Sequence, residues 1–322
     1  LDKISSIVKY HDSFFVGLMM DGVLVLEKQK DSGEYQIQTL PINSGAFSLI
    51  KDRFQDVVWI GTDGQGVYLY SNPLYSIKSV VLSNYTEKIE RPVRALLLDK
   101  ERTFWIGTKG NGILKIFDYE VDKNLSDCRS EILTTSNSGL GSNAVYCIGE
   151  SSRNLLWIGD EEGLNFYSYR ERRIKKLPLW IDNEEFKYIH DIYETEDSEL
   201  WLASVGMGVV RARIGGTPDY PVLEDVQRYV VNGGEFDSNY FFTICKEDTL
   251  NLLFGNMGHG VFRFNKTTNG LEPLTTHKYE NMNLNKVVPI IKDEADNYLI
   301  GTTYGVIKYA SENSYQLFNA KD

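Results

Sequence analysis

One short phrase recurs seven times along the 322 residues of this chain. It reads VWIGTDGQGVYLY from Val58, FWIGTKGNGILKI from Phe104 and LWIGDEEGLNFYS from Leu156, and four more divergent copies accompany these three. The central small residue of the copies falls at Gly17, Gly61, Gly107, Gly159, Ala203, Gly255 and Gly301, in steps of 44 to 52 residues. Such regular spacing predicts that residues 1–322 are one array of a single repeated unit.

Each repeat contains four strand-like runs separated by turn residues. In the third repeat these are Arg94 to Leu98, Thr103 to Thr108, Ile113 to Tyr119 and a run near Ser130 to Thr135. Runs of this length between Gly, Asn and Asp clusters predict strands and hairpins. No stretch shows a sustained period of 3.6 residues. We therefore predict an all-β, seven-bladed β-propeller with four antiparallel strands per blade; the alternative, a parallel β-helix, has much shorter repeats.

The repeated residues have packing roles in this interpretation. A wide side chain such as Trp59 or Trp105 is expected to lie between adjacent blades, and the glycine two positions later allows the neighbouring blade to approach closely. The chain enters before an inner strand and ends on an outer one, so each blade is expected to come from one repeat. The ring then closes by side-chain packing alone between blades one and seven, and we expect that seam to be the weakest.

Composition excludes some classes of binding partner. The formal net charge of −11 repels phosphate backbones and anionic lipid, so we expect neither nucleic acid nor direct membrane contact. Cys128, Cys147 and Cys245 are too few and too scattered for a disulfide framework, and we expect three free thiols. We expect no cofactor and no bound metal.

The phrase φ-W-φ-G-T-x-x-x-G-φ, preceded by an inner strand and an acidic turn, resembles the two-component regulator propeller repeat. The similarity is greatest over residues 136–178 and extends over nearly the whole chain. This resemblance implies the extracytoplasmic, periplasmic sensor region of a hybrid two-component system histidine kinase of Bacteroides-type bacteria. It further implies a fragment of a longer receptor, whose neighbouring domains or second protomer are partners and whose kinase lies elsewhere. The family's motif residues are structural, so no functional residue carries over.

Motifs that signal chemistry have structural explanations. The Gly-x-Gly pairs, such as Gly64 to Gly66, lie in hairpin turns and lack the following helix of a dinucleotide site. The histidines show no metal or triad spacing. Acidic turns near Asp99, Glu194 and Asp293 lack the fixed ligand spacing of a calcium loop, although calcium remains an alternative.

One face of the predicted propeller is the candidate site. The turn after the second strand and the link after the fourth strand emerge on the same face, because strands alternate in direction. Convergent polar and aromatic groups around a channel mouth are typical of ligand sites. Met207 and Asn239 belong to this face, and Trp180, Tyr240, Tyr279 and Tyr304 are candidates for stacking on sugars or for ordinary packing. The predicted ligand-binding residues are Asp63, Gln65, Arg91, Lys109, Asn111, Asp160, Glu161, Trp180, Tyr240, His259 and Tyr304.

Three functions remain open. The leading hypothesis is a non-catalytic sensor that binds a polysaccharide-derived oligosaccharide and regulates the use of that polysaccharide. The second is a protein-interaction or dimerisation scaffold. The third is a propeller enzyme such as a lyase, glycosidase or lactonase, which requires a catalytic carboxylate pair, a tyrosine or histidine base, or a metal bound in the channel. No carboxylate is singled out by its spacing, so we expect no catalysis by this chain.

Overall fold

The strands form seven four-stranded antiparallel sheets and one short hairpin. The computed structural model describes residues 3–29, 34–71, 76–80, 89–119, 127–231, 239–274, 286–293, 295–311 and 314–318. These residues contain no α-helix, and therefore no helix that could cross a membrane. Each sheet is built in sequence order from one repeat. The prediction of a seven-bladed propeller is confirmed.

The strand bounds follow the repeat from the innermost strand of each blade to the outermost. Blade one comprises β1 (Ile4–Tyr10), β2 (Ser13–Leu18), β3 (Val23–Lys28) and β4 (Tyr35–Leu40), and blade two comprises β5 (Ala46–Lys51), β6 (Val57–Thr62), β7 (Val67–Ser71) and β8 (Ser76–Val80). Blade three comprises β9 (Val93–Leu98), β10 (Phe104–Thr108), β11 (Ile113–Ile116) and β12 (Ser130–Leu133), and blade four comprises β13 (Val145–Glu150), β14 (Leu155–Asp160), β15 (Gly163–Ser168) and β16 (Arg173–Lys176). The hairpin β17 (Trp180–Ile181) and β18 (Glu184–Glu185) precedes blade five, which comprises β19 (Ile189–Glu194), β20 (Glu199–Ser204), β21 (Gly208–Thr217) and β22 (Tyr220–Tyr229). Blade six comprises β23 (Phe241–Lys246), β24 (Asn251–Asn256), β25 (Gly260–Asn265) and β26 (Gly270–Pro273), and blade seven comprises β27 (Ile290–Lys292), β28 (Tyr298–Thr302), β29 (Gly305–Ser311) and β30 (Ser314–Phe318).

The hydrophobic core is divided into seven clusters, each shared by two adjacent blades. The cluster between blades seven and one joins Leu299 and Phe318 to Phe14 and Val16. No strand of blade seven pairs with a strand of blade one in the described residues. The ring therefore closes at this seam by side-chain packing, as the phase of the repeat predicts.

The repeated tryptophan and glycine hold neighbouring blades together. Trp59 is fully buried and its ring centroid lies 4.5 Å from that of Phe104 in the next blade. A Cβ added to Gly61 would lie 2.5 Å from Cγ1 of Val93, and one added to Gly301 would lie 2.6 Å from Cγ2 of Ile4. Both glycines are therefore positions of close approach between blades, including the approach that closes the ring.

The acidic turns are explained by hydrogen bonds within the fold. Asp99 is buried, and its Oδ2 accepts a 2.8 Å hydrogen bond from the indole nitrogen of Trp105. Its Oδ1 accepts the backbone N–H groups of Glu101 and Thr103. Asp52 binds Trp59 in the same way, at 3.0 Å. The carboxylate in this turn orients the tryptophan that packs between blades.

The cysteines are free, as predicted. Cys147 lies on β13 and Cys245 on β23, the inner strands of blades four and six. Burial raises the pKa of both thiols, that of Cys245 to about 12. Such thiols are poor nucleophiles near neutral pH, and we assign them to packing.

Candidate ligand-binding face

The turns after second strands and the links between blades meet on one face of the ring. Isolated bridges join Lys109 to Ala144 and Met257 to Lys286. The N–H of Gly206, in the turn of blade five, donates a 3.0 Å hydrogen bond to the carbonyl oxygen of Asn239, in the link to blade six. Each of these turns is thus fastened to the link that leads into the next blade, and together they form the face on which the predicted residues lie.

The predicted residues differ in exposure and in position. Arg91 and Asn111 are in contact, since the Arg91 N–H donates to Asn111 Oδ1 at 3.0 Å. Trp180 and Tyr240 line one cleft, and Lys109 lies at the mouth of the central channel. The others lie at the turns of blades two, four, six and seven. Seven of the eleven predicted residues are exposed, namely Asp63, Gln65, Arg91, Lys109, Trp180, Tyr240 and His259. Three are half-buried, namely Asn111, Glu161 and Tyr304, and Asp160 is fully buried. Tyr279 lies outside the described residues.

Asp160 belongs to the scaffold of its turn. Its carboxylate accepts hydrogen bonds from the N–H of Ser142 at 2.7 Å, the N–H of Glu162 at 2.8 Å and Nδ2 of Asn165 at 2.8 Å. Burial raises the pKa of this carboxyl to about 6, although those hydrogen bonds favour the charged form. It has no exposed surface for a ligand, so we leave it out of the candidate site.

An aromatic cleft forms between the hairpin β17–β18 and the link into blade six. Three exposed aromatic side chains line it, Trp180, Tyr188 and Tyr240, and Trp180 is 63% exposed. Met207 and Gly206 also line it, and the volume of the open cleft is about 700 Å³. A cleft with several exposed ring faces is unusual on a soluble surface and is typical of a binding site.

Local sequence explains how Trp180 is held in place. Asp182 and Asn183 both have positive φ, 52° and 66°, as a two-residue hairpin turn requires, and Asn and Asp tolerate that conformation best after glycine. The turn pairs Trp180 with Glu185, whose carboxylate lies 2.9 Å from the Lys176 ammonium. Buried Phe186 anchors the end of the hairpin in the core. The Trp180 side chain therefore projects from a fixed hairpin.

The central channel is the second concavity and opens on the same face. Its cavity of about 580 Å³ is lined by residues from all seven blades. In blades one to six the pairing of the first strand with the second skips one residue near the start of the first strand. A bulge of this kind redirects a side chain. The large bulged residues that line the channel are Phe47, Arg94, Tyr146, His190 and Phe242.

These bulged side chains contact one another around the channel. The Arg94 guanidinium lies 4.1 Å from the ring centroid of Phe47. His190 stacks on Tyr146 with centroids 4.2 Å apart and meets the edge of Phe242 at 5.1 Å. Burial and then the positive charges of Arg94, Lys286 and Lys109 lower the pKa of His190 to about 3. This histidine is therefore neutral at physiological pH.

Sequence reasoning did not single out the bulged residues or Tyr188. A signal was present, because Arg94, Tyr146, His190 and Phe242 each lie 13 residues before the central small residue of their repeat. Strand periodicity alone does not reveal it, because each bulged residue is the second of its strand and only one residue precedes it to show the change in alternation. Among the described residues, no cluster of histidine, cysteine or carboxylate side chains could hold a metal ion.

Comparison with known proteins gives the fold firmly. No protein-family model matches the chain. A curated relative, histidine kinase P4 from Formosa agariphila, is 26% identical over 132 residues, which is 38% of this chain and 9% of the relative. The extracellular domains of two hybrid two-component systems from B. thetaiotaomicron, BT4673 and BT3049, share the fold with TM-scores of 0.60 and 0.59 and identities of 15% and 21%.

The matches differ in how much of each chain they cover. The two extracellular domains cover 98% and 99% of this chain, which spans 48% and 41% of their length. A virginiamycin B lyase from Staphylococcus aureus is also similar, with a TM-score of 0.68, 13% identity and coverage of 94% of this chain and 92% of the lyase. The same fold thus occurs in extracellular domains of two-component systems and in a lyase, and fold alone does not assign function. The chain is a seven-bladed propeller with the fold found in extracellular domains of hybrid two-component systems.

Proposed function

We propose that this chain is a non-catalytic, ligand-binding propeller from the extracytoplasmic sensor region of a two-component signalling receptor. The resemblance of the seven repeats to the regulator propeller repeat supports this. The shared fold with extracellular domains of two-component systems and the partial identity to a histidine kinase agree with it. The proposed location is the periplasm, and the proposed partners are further domains of the same receptor or a second protomer.

The proposed ligand is an oligosaccharide derived from a polysaccharide, and the cleft of Trp180, Tyr188 and Tyr240 carries this proposal. Exposed aromatic rings offer flat apolar faces to the C–H faces of sugar rings, while their polar tips remain in water. Asn183 and Lys187 also line the cleft and provide hydrogen-bonding groups. A pocket with aromatic walls and a few polar groups fits a sugar better than a fully apolar ligand.

The carboxylates of the cleft have structural partners. Glu185 pairs with Lys176, and Glu184 lies 3.7 Å from Arg228, which also donates to the Met207 carbonyl oxygen at 2.7 Å. These contacts fix the hairpin to blades four and five. We therefore favour binding over lyase or glycosidase chemistry in this cleft.

The test is isothermal titration of the chain with a panel of oligosaccharides from plant, host and fungal polysaccharides. For the glycan that binds, Trp180→Ala and Tyr240→Ala are expected to weaken affinity at least about tenfold, because each removes one stacking surface. The matched control is Phe54→Ala, since Phe54 is 49% exposed but lies in the turn between β5 and β6 on the opposite face.

Three outcomes separate the alternatives. Loss of affinity with the cleft variants and not with Phe54→Ala supports the cleft as the sugar site. Unchanged affinity in both cleft variants assigns the ligand to another surface. Absence of binding by every glycan contradicts the oligosaccharide proposal and favours the scaffold, for which exposed Trp180 would serve as an interface anchor.

A further inference from the structure

Positive charge collects at the mouth of the central channel, in a chain whose formal net charge is −11. Arg94 projects from the bulge of β9, Lys109 from the turn after β10, and Lys286 from the link into blade seven. All three line the cavity. Three cations from two distant parts of the ring thus face the same space.

The channel cations differ from two other cations of the chain, Arg263 and Lys115, which have carboxylate partners. Arg263 pairs with Glu247 at 2.6 Å, and Lys115 pairs with Glu131 at 3.3 Å. In contrast, Arg94, Lys109 and Lys286 form no salt bridge with any residue that the structure describes. The Nε of Arg94 is buried and has no hydrogen-bond partner. A buried donor without an acceptor is destabilising, so its retention calls for an explanation.

The cations also repel one another. Burial, and after it the nearby positive charges of Arg94, Lys3 and Lys109, together lower the pKa of the Lys286 ammonium to about 8. Burial likewise lowers the pKa of Arg94, while Asp63 opposes that shift. Like charges held in one partly desolvated cavity raise the energy of the protein until an opposite charge joins them.

The remaining titratable groups of the cavity do not neutralise this charge. His190 is neutral, and Tyr146 and Cys147 have pKa values raised by burial. Asp191 is the one carboxylate lining the cavity among the described residues. Its oxygens accept the N–H groups of Ile244 at 2.7 Å and Ile192 at 2.8 Å, and it forms no salt bridge with the channel cations.

Aromatic faces hold two of the cations in position. Arg94 lies over Phe47 at 4.1 Å, and the Lys286 ammonium lies over Phe242 at 4.5 Å. A ring face stabilises a cation without providing a counter-charge. Arg94 and Lys286 are therefore held in place at the cavity, and their charges remain available to an anion.

We propose that the mouth of the central channel is a binding site for the oxyanion group of a small ligand, a carboxylate or a sulfate, held by Arg94, Lys109 and Lys286. Guanidinium and ammonium donors form charge-assisted hydrogen bonds with such groups. The proposal does not depend on the sugar cleft. The two sites are nevertheless neighbours, because Tyr188 and Tyr240 line the cleft while His190 and Phe242, two residues further along the chain, line the channel.

The test is titration of the intact chain with sodium sulfate, with glucuronate and with glucose, at constant ionic strength in chloride. We expect sulfate and glucuronate to bind at this site and glucose not to bind there. Lys286→Gln and Lys109→Gln each remove one charge-assisted contact and should weaken the affinity for both anions about tenfold or more. Arg94→Gln should do the same if it folds, and the two lysine variants carry the test if it does not.

The matched control is Lys100→Gln, which removes the same charge from an exposed residue in the turn between β9 and β10, on the opposite face. Its affinity for the anions should equal that of the unmodified chain. The proposal is overturned if neither anion binds, or if Lys100→Gln weakens binding as much as Lys286→Gln does. Sulfate binding without glucuronate binding supports a sulfate ligand, and the reverse supports a carboxylate.

These outcomes are separable from those of the sugar site. Trp180→Ala should leave the affinity for inorganic sulfate unchanged, because sulfate has no ring to stack. Loss of sulfate binding in Trp180→Ala would overturn the assignment of the anion to the channel. Sulfate binding in a chain that binds no oligosaccharide would retain this site and remove the sugar proposal.

Discussion

Two tryptophans at the same position of different repeats allow a direct test of the acidic turn. Trp105 and Trp201 are both buried, and each lies beside a cation, with Lys115 at 4.7 Å and Arg211 at 5.8 Å from the rings. The indole nitrogen of Trp105 donates to Asp99, whereas that of Trp201 is buried without a hydrogen-bond partner. Replacement of each by phenylalanine removes a similar area and differs mainly in this hydrogen bond.

The expected difference follows from the partners. Trp105→Phe removes one donor from a buried carboxylate, and a hydrogen bond to a charged group contributes about 1.5–3 kcal/mol. Trp201→Phe removes no hydrogen bond and eliminates an unpaired buried donor, a change that offsets about 1–3 kcal/mol of the lost packing. We therefore expect Trp105→Phe to lower the free energy of unfolding by at least about 2 kcal/mol more than Trp201→Phe does.

Urea unfolding followed by far-UV circular dichroism measures this difference, because that signal does not depend on the removed indole. The unfolding midpoints are comparable only if the slopes of the two variants agree. Equal midpoints for the two variants would refute the argument that the Asp99 carboxylate stabilises blade three through Trp105. A double variant with Asp99→Asn should then show no coupling between the two positions, whereas we expect coupling.

Three further predictions concern the blades and the channel. Gly61→Ala should cost about 1–3 kcal/mol through overpacking against Val93, whereas Gly149→Ala, whose added Cβ has only one neighbour, at 3.9 Å, should be near neutral in the same urea assay. His190 has a pKa of about 3 in the folded protein, below its ordinary 6.5, so the unfolded chain binds the proton first and the free energy of unfolding falls as the pH drops below about 6.5. His190→Gln should therefore reduce the loss of unfolding free energy between pH 7 and pH 5 by at most about 2 kcal/mol. An unchanged pH profile would contradict the burial of a neutral histidine. Leu299→Ala should cost about 2–5 kcal/mol, and if the seam is the weakest interface, hydrogen exchange will show β1 and β28 opening before β10 and β13.

The architecture was predictable because its determinants repeat. A small residue such as Gly61 or Gly301 is needed where one blade closely approaches the next. Glycine, or alanine at Ala203, therefore recurs every 44 to 52 residues, and seven recurrences predict seven blades. The order of strands within each blade follows from short turns, which join only neighbouring antiparallel strands. Both features are local in sequence and are therefore visible without a structure.

The candidate site was predictable only in part. The face of the propeller that carries the candidate site followed from the alternating strand direction. The exposure of Trp180 followed from its position in a link between blades. Asp160 was placed on that face as a ligand-binding residue, but it aligns with Thr62 and Thr108, the residues after the repeat glycine, which are buried and bind a carbonyl oxygen of their own turn. Tyr188 and the bulged residues depend on how the first strand bends against its neighbour, and that bend is a tertiary effect.

The bulge in the inner strands of blades one to six separates the side chain that faces the channel from the residues that pair across the sheet. In an ordinary strand, each side chain is committed to one face of the sheet, and changing it disturbs the packing of that face. Here the skipped residue of blades one to six lies outside the ladder, so Phe47, Arg94 or His190 can be exchanged while the residues that pair across the sheet stay as they are. The chemistry of the channel can then change through single codons, one blade at a time, on a scaffold that keeps its shape.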